Sequence, residues 1–114
     1  MARTIIKRAE TFRRNLRFTH RTTGANIDLS GCTARCQMRD EPGGTLLADA
    51  QCTVEGVTGK VIVVFDKNVT AGLPLGEAGY DVWLVADGEQ RPIFTEKVTI
   101  VDPYTDMTEV ESGS

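Results

Sequence analysis

Few side chains in this sequence have the types and spacing that catalysis requires. A nucleophilic site needs Ser, Cys or Thr beside a base that a third group orients. The only histidine, His20, stands at the end of a predicted strand, and the sequence places no such partners around it. We therefore expect no enzymatic activity.

The three cysteines, Cys32, Cys36 and Cys52, match neither a disulfide nor a zinc pattern. Strand spacing would hold Cys32 and Cys36 about 13 Å apart, which is beyond the reach of a disulfide. A Cys-x3-Cys spacing with a single histidine also lacks the ligand set of a zinc site. We expect three small buried thiols and no bound metal or other cofactor.

Two other patterns fall short of ligand sites. The segment 72–76 begins and ends with glycine, but no Lys-Ser/Thr pair or clear helix follows it, so it does not match a phosphate-binding loop. Several aspartates could gather at the ends of a sandwich, yet none stands in the Asp-x-Asp-x-Asp-Gly spacing of a calcium loop: Asp28, Asp40, Asp49, Asp66, Asp81 and Asp87. These aspartates are better explained as solvated loop residues than as calcium ligands.

The charges are distributed unevenly. The first 21 residues carry seven basic groups and one acidic group, a net charge of +6, and the other six basic and fifteen acidic groups give the remainder −9. The basic segment either solvates the outer face of a first strand or docks against copies of the chain or an acidic partner. No aromatic platform accompanies it, so nucleic acid is not the expected partner. The candidate interface residues are Arg3, Lys7, Arg8, Arg13, Arg14, Arg17 and Trp83.

The elements that would position these residues are strands. Short β-rich segments are broken by Gly, Asn, Asp and Pro about every ten residues, which is typical of a sandwich or barrel. Phe12, Leu16 and Phe18 alternate with polar residues, but Arg14 falls on the apolar side. That misfit predicts a bulge or an interface at Arg14.

Three later segments define the expected core. Cys36 and Met38 share one face of a strand with Cys32 and Ala34, and the run 61–65 is apolar on both faces, so it is a central strand or one covered on its outer side. One helical turn is expected near Asn68 to Ala71. On the following strand Trp83 faces outward, either as an interface anchor or beneath the connection at Leu73 to Leu75.

Length and composition favour one folded domain. The chain has 114 residues, of which 40% are hydrophobic and 25% charged, within the ordinary range of soluble domains. No apolar run is long enough to cross a bilayer, and the N-terminus lacks a signal-peptide core, so we expect maturation in a cytoplasm. We assign a basic arm or first strand to residues 1–9, the sandwich to 10–102 and a flexible acidic tail to 103–114.

Several motifs resemble small bacteriophage virion proteins in their order and spacing. The segment 27–40 follows their pattern of hydrophobic-Asp-Leu-Thr/Ser-Gly, an alternating strand and then Arg-Asp. Phe12-Arg13-Arg14 precedes it, and Thr58-Gly59, Tyr80-Asp81 and Asp87-Gly88 follow in order. These proteins are similar to the N-terminal domain of the upper baseplate protein of lactococcal phages. This chain departs from many of them in having Asn15-Leu16 where they have Gly-Asp.

The resemblance covers residues 10 to 102 and implies an immunoglobulin-like β-sandwich of seven or eight short antiparallel strands. It also implies a structural role in the virion, as an oligomeric tail, baseplate or fibre-adaptor subunit that binds other virion proteins and copies of itself. Two alternatives remain: a capsid cement or decoration protein, and a module that recognises the host surface. Within the Asp28-Leu29-Ser30-Gly31 turn we expect hydrogen bonds to backbone amides and a leucine that closes the core.

Overall fold

The structure is a computed structural model that describes residues 4–104, and these form two β-sheets packed face to face. The all-β sandwich predicted from the sequence is confirmed. In chain order the elements are β1 (Thr4–Lys7), β2 (Phe12–Arg17), β3 (Thr33–Arg39), β4 (Leu46–Asp49), β5 (Gln51–Glu55), β6 (Lys60–Phe65), α1 (Lys67–Ala71), β7 (Gly76–Ala86) and β8 (Glu89–Val101).

The strand order is that of an immunoglobulin-like sandwich. One sheet has the order β1-β8-β7-β3-β4 and the other β2-β6-β5, which matches a GFC-type sheet extended at both edges and a BED sheet. The expectation of antiparallel strands throughout is wrong at one place, because β1 pairs with β8 in parallel. Two strands are also longer than expected, with 11 residues in β7 and 13 in β8.

The first strand extends the sandwich towards the N-terminus of the chain. Thr4 pairs with Val98 and Lys7 with Val101. Of the two alternatives for residues 1–9, a basic arm or a first strand, the strand is therefore present from residue 4. At the other end, Pro103 and Tyr104 are described and the rest of the predicted acidic tail, 105–114, lies outside the described residues. The core domain therefore begins before residue 10.

Strand β6 is central, as its apolar sequence predicted. Val61, Val63 and Phe65 are buried between the sheets, with at most 1% of their surface exposed. Ile62 and Val64 point to the opposite face, where they are only partly buried. Strands β2 and β5 flank β6 on either side, so the β6 backbone is paired along both of its edges.

An aromatic cluster fills the space between the sheets. Phe65 lies at the centre, with its ring centroid 5.6 Å from that of Tyr80 and 6.3 Å from that of Phe12. Tyr80 also contacts the edge of Phe12, at 6.1 Å and an interplanar angle of 76°, the edge-to-face geometry that aromatic pairs favour. Cys36 and Met38 are buried in the same core, as the alternation in β3 predicted.

Two turns have the conformations that their residue types favour. Asp87 and Gly88 join β7 to β8 and both have positive φ, 51° and 79°, as a two-residue hairpin turn requires. Between β2 and β3, the Asp28 carboxylate accepts a hydrogen bond from the Ser30 amide at 2.9 Å, and Leu29 is buried. Gly31 follows at φ 83°, a conformation that side chains disfavour.

The connection from β6 to β7 contains the one helical turn that the sequence indicated. The Asp66 side chain caps α1 by accepting from the Asn68 amide at 3.0 Å. The buried Thr70 hydroxyl donates to the Glu10 carbonyl at 2.7 Å and so ties α1 to the turn between β1 and β2. Within residues 4–104, no helix is long and apolar enough to span a membrane.

Candidate interaction surfaces

Arg14 forms an ion pair within the domain. Its side chain points into the sandwich, where Nε and Nη2 each lie 2.9 Å from a different oxygen of Glu96 on β8. The guanidinium carbon also lies 4.9 Å from the centre of the Phe12 ring. The predicted bulge is wrong, because β2 pairs with β6 in unbroken register past Arg14. An internal ion pair explains why an arginine stands on the apolar side.

Glu96 collects hydrogen bonds from three strands. In addition to the two from Arg14, it accepts one from the Thr4 hydroxyl at 2.6 Å and one from the Tyr80 hydroxyl. Burial alone would raise the pKa of Glu96, but the hydrogen bonds from Arg14, Thr4 and Tyr80 outweigh it and hold the pKa at about 2. Burial and the Glu96 carboxylate both raise the pKa of Tyr80. The Glu96 carboxylate therefore stays an anion, paired with the Arg14 guanidinium.

Sequence reasoning missed Glu96, although a signal was present. Arg14 on an apolar strand face predicts a buried carboxylate partner, since an unpaired charge there would be costly. The sequence does not say which of its 16 acidic residues supplies that partner. Glu96 faces inward because it pairs with Tyr80 across β7 and β8, a register that only the folded hairpin defines.

The other candidates near the N-terminus differ in their exposure. Arg8 is held within the domain, since its Nε lies 2.7 Å from Asp102 and its Nη1 donates to the Leu73 carbonyl at 3.1 Å. Lys7 has an exposed side chain at the end of β1. Arg3 lies outside the described residues. The structure therefore separates the predicted basic segment into paired and solvent-facing groups.

Arg13 and Arg17 remain on the outer face of β2. Arg13 is opposite Val64 and Arg17 is opposite Lys60 on β6, with Asn15 and Ile62 paired between them. Both arginines are exposed and make polar contacts on that surface: Arg13 with Asn15 at 3.4 Å, and Arg17 with Asn26 at 2.8 and 3.1 Å. We define the basic face as Arg13, Arg17, Lys60, Ile62 and Val64.

The basic face combines an apolar centre with a charged margin. Ile62 and Val64 lie in the middle strand, and a shallow cavity of about 140 Å³ opens beside Ile62, between Arg13, Arg17 and Lys60. Glu55 is the acidic residue at this cavity. Interfaces commonly place apolar contact at the centre and polar groups at the rim. The arrangement suits a partner that brings carboxylates to the margin.

Trp83 lies on the outer face of the other sheet. It pairs with Arg35 on β3 and with Pro92 on β8, and it is half-buried. It is not among the residues of the core cluster. The expectation that the connection at Leu73 to Leu75 covers it is wrong, because Leu75 precedes the start of β7 and lies eight residues away, about 27 Å along a strand. Leu73 packs into the core instead.

The sequence did not predict a depression on the five-stranded sheet. Arg39, Gly79 and Lys97 form one row across β3, β7 and β8, and the missing side chain at Gly79 opens a cavity of about 430 Å³ towards the β3–β4 loop. Acidic residues also line it: Asp40, Glu41, Glu77, Asp81 and Glu96. Mixed charges of this kind fit a polar contact surface and define no single ligand.

The residues considered as metal ligands or nucleophiles are dispersed over residues 4–104. Among the described residues, no group of three or more His, Cys, Asp or Glu side chains could hold a metal ion. The three cysteines are free thiols, of which Cys36 is buried and Cys32 and Cys52 are half-buried, so the expectation of full burial is correct for Cys36 alone. Burial raises the pKa of Cys36, which disfavours the reactive thiolate.

No protein-family model and no curated protein matches this chain. The fold therefore defines the class: an immunoglobulin-like β-sandwich. Its distinguishing features are two outer surfaces, the basic face on the three-stranded sheet and the area around Trp83 on the five-stranded one.

Proposed function

We propose that this chain is a non-enzymatic structural protein of a bacteriophage virion, a tail, baseplate or fibre-adaptor subunit. It binds other virion proteins and copies of itself, and it joins the particle during assembly in the host cytoplasm. The observation that carries the proposal is the basic face, on which the exposed Arg13 and Arg17 border the half-buried Ile62 and Val64.

The basic face has the chemistry of an assembly surface. A partner that covered Ile62 and Val64 would remove apolar area from water, which is the main favourable contribution to association. Arg13 and Arg17 would orient that partner, because exposed charges guide encounter and register more than they add affinity. Since Arg14 and Arg8 are paired within the domain, Arg13 and Arg17 are the strand β2 arginines left for such a role.

The phage assignment rests on the order of the sequence motifs, and the sandwich supports it. Residues 27–40, which carry the resemblance, form the Asp28 turn and strand β3, so the motif marks one structural unit. Sandwich domains of this size present large lateral surfaces relative to their volume. A small adaptor subunit needs such surfaces more than it needs a cavity.

Charge reversal within the phage tests the proposal. Arg13→Glu with Arg17→Glu should leave the purified domain folded and reduce its incorporation into particles. Arg21→Glu, at an exposed turn position outside the basic face, serves as the control. Normal incorporation of the doubly reversed protein would contradict the role of the basic face. Electron microscopy after deletion of the gene tests the location: missing tails or fibres are expected, and intact tails with fragile capsids would indicate the cement alternative.

A further inference from the structure

Strand β2 has a free backbone edge. It is the outer strand of the order β2-β6-β5, and no described strand lies on its other side. It has six residues, compared with five in β5 and four in β1 and β4, the other outer strands. A free edge of this length is a template for pairing with another chain.

The amides that face this edge can be identified from the neighbouring hydrogen bonds. The Phe18 amide, just beyond the end of β2, donates to the Gly59 carbonyl at 2.8 Å. Because backbone amides alternate in direction along a strand, the N–H and C=O groups of Phe12, Arg14 and Leu16 point towards β6. The N–H and C=O groups of Arg13, Asn15 and Arg17 point to the free edge.

The side chains of the same three residues lie on the outer face. A strand added at this edge would therefore meet unpaired amides and two arginines together. Other edges are less suited to pairing. The part of β8 before Val98 has no β1 residue opposite it, but it contains Pro92, which lacks an N–H. Strand β5 carries the acidic Glu55 in place of arginines.

The chain also contains a segment with matching chemistry. Residues 105–111 read Thr-Asp-Met-Thr-Glu-Val-Glu, with three carboxylates and no basic group. In an extended conformation, alternation places Glu109 and Glu111 on one face, together with Met107. Opposite charges on neighbouring strands stabilise pairing, and like charges oppose it.

We propose that the acidic segment 105–111 of a neighbouring copy pairs with the free edge of β2. Its backbone N–H and C=O groups exchange hydrogen bonds with those of Arg13, Asn15 and Arg17, and the carboxylates of Glu109 and Glu111 lie beside the two guanidinium groups. The chain leaves β8 at the end of the sandwich where β2 begins, so its own tail could run only parallel to β2. A tail from another copy can run antiparallel, which is the more stable pairing.

This contact rests on the proposed assembly role and names one partner for it. Each copy then offers both an edge and a tail, which is a head-to-tail arrangement that closes into a ring or continues as a filament. The charge separation between the first 21 residues and the remainder of the chain would then orient the copies, with the acidic tail of one beside the basic strand of the next.

Proline substitution in the full chain tests the pairing. Asn15→Pro removes one N–H that the folded domain does not use, and Asn15→Thr retains it and serves as the control. A second variant neutralises the tail: Asp106→Asn, Glu109→Gln and Glu111→Gln. Sedimentation velocity over a dilution series measures self-association, hydrogen exchange measures protection of the Arg13, Asn15 and Arg17 amides, and a thermal melt confirms folding.

Wild-type protein and Asn15→Thr should self-associate with concentration-dependent protection of the three amides. Asn15→Pro and the neutralised tail should each weaken association at least about tenfold. Association that persists in both variants, or a wild-type chain that stays monomeric with fast exchange at these amides, overturns the proposal. Protection that is independent of concentration but lost with the neutralised tail would place the chain's own tail there and also overturn it. Normal incorporation into particles in either case would leave the proposed function standing.

Discussion

The guanidinium of Arg14 on β2 and the carboxylate of Glu96 on β8 form a two-pronged ion pair with both N···O distances at 2.9 Å. The pair joins the two sheets of the sandwich, since β2 and β8 belong to different ones. Thr4 and Tyr80 add hydrogen bonds from two further strands. The planar fork of arginine matches a carboxylate in this geometry, which lysine could not reproduce.

Removal of the carboxylate charge should destabilise the domain. Glu96→Gln leaves the partly buried Arg14 without its counter-ion, and we expect a loss of about 1 to 3 kcal/mol in the free energy of unfolding. Chemical denaturation measures this loss. Glu55→Gln on an exposed outer position of β5 is the control and should change stability by less than about 0.5 kcal/mol. Equal effects of the two substitutions would show that Arg14 does not need Glu96.

The stability that Glu96 contributes should depend on pH. Its pKa is about 2 in the folded chain against an ordinary 4.5, so the folded state binds this proton less readily than the unfolded state. The contribution is fully present above about pH 5 and is lost as pH falls from 4.5 towards 2. The difference in unfolding free energy between wild type and Glu96→Gln should therefore shrink over that window. A difference that stays constant down to pH 2 would contradict the lowered pKa.

The three thiols should react at different rates in the folded protein. Cys36 is 3% exposed, whereas Cys32 and Cys52 are only half-buried, and burial raises the pKa of both Cys36 and Cys52. We expect slow labelling of Cys36 and equal labelling of all three after unfolding, without any effect of reductant. Mass spectrometry of peptides from a timed reaction measures this order. Rapid labelling of native Cys36 would show that β3 has another register.

Local patterns predicted the strands well because burial in a sandwich alternates along each one. Cys36 and Met38 on one face of β3, the centrality of Val61–Phe65 and the Asp87-Gly88 turn all follow from residues close together in the sequence. These features depend on the local period of two and on turn residues alone. Pairing across the chain was not predictable in the same way.

The missed features all depend on residues far apart in the chain. Glu96 is 82 residues from Arg14, and the parallel pairing of Thr4 with Val98 spans nearly the whole domain. Sequence reasoning placed a bulge or an interface at Arg14, because the residue breaks the local alternation of apolar and polar side chains. The free edge of β2 was equally invisible, since it follows from strand order and not from the composition of β2.

Trp83 provides the sharpest separation between a folding role and a binding role. It stands between Arg35 and Pro92 on an outer face, outside the core cluster. Trp83→Ala should therefore cost only about 1 kcal/mol of stability, compared with about 3 to 5 kcal/mol for an aromatic truncated in a core. If the residue anchors a partner, the same substitution should weaken assembly by about 2 kcal/mol or more.

Val63→Asp is the control for Trp83→Ala, because Val63 is 1% exposed and the new carboxylate would be buried without a partner. That variant should fail to fold, since the cost rivals the total stability of about 5 to 15 kcal/mol. A circular-dichroism melt of each isolated variant, beside a particle-incorporation assay, separates the two roles. A melting temperature that falls as far for Trp83→Ala as for a core truncation would remove Trp83 from the interface, whereas a small fall with lost incorporation would place it there.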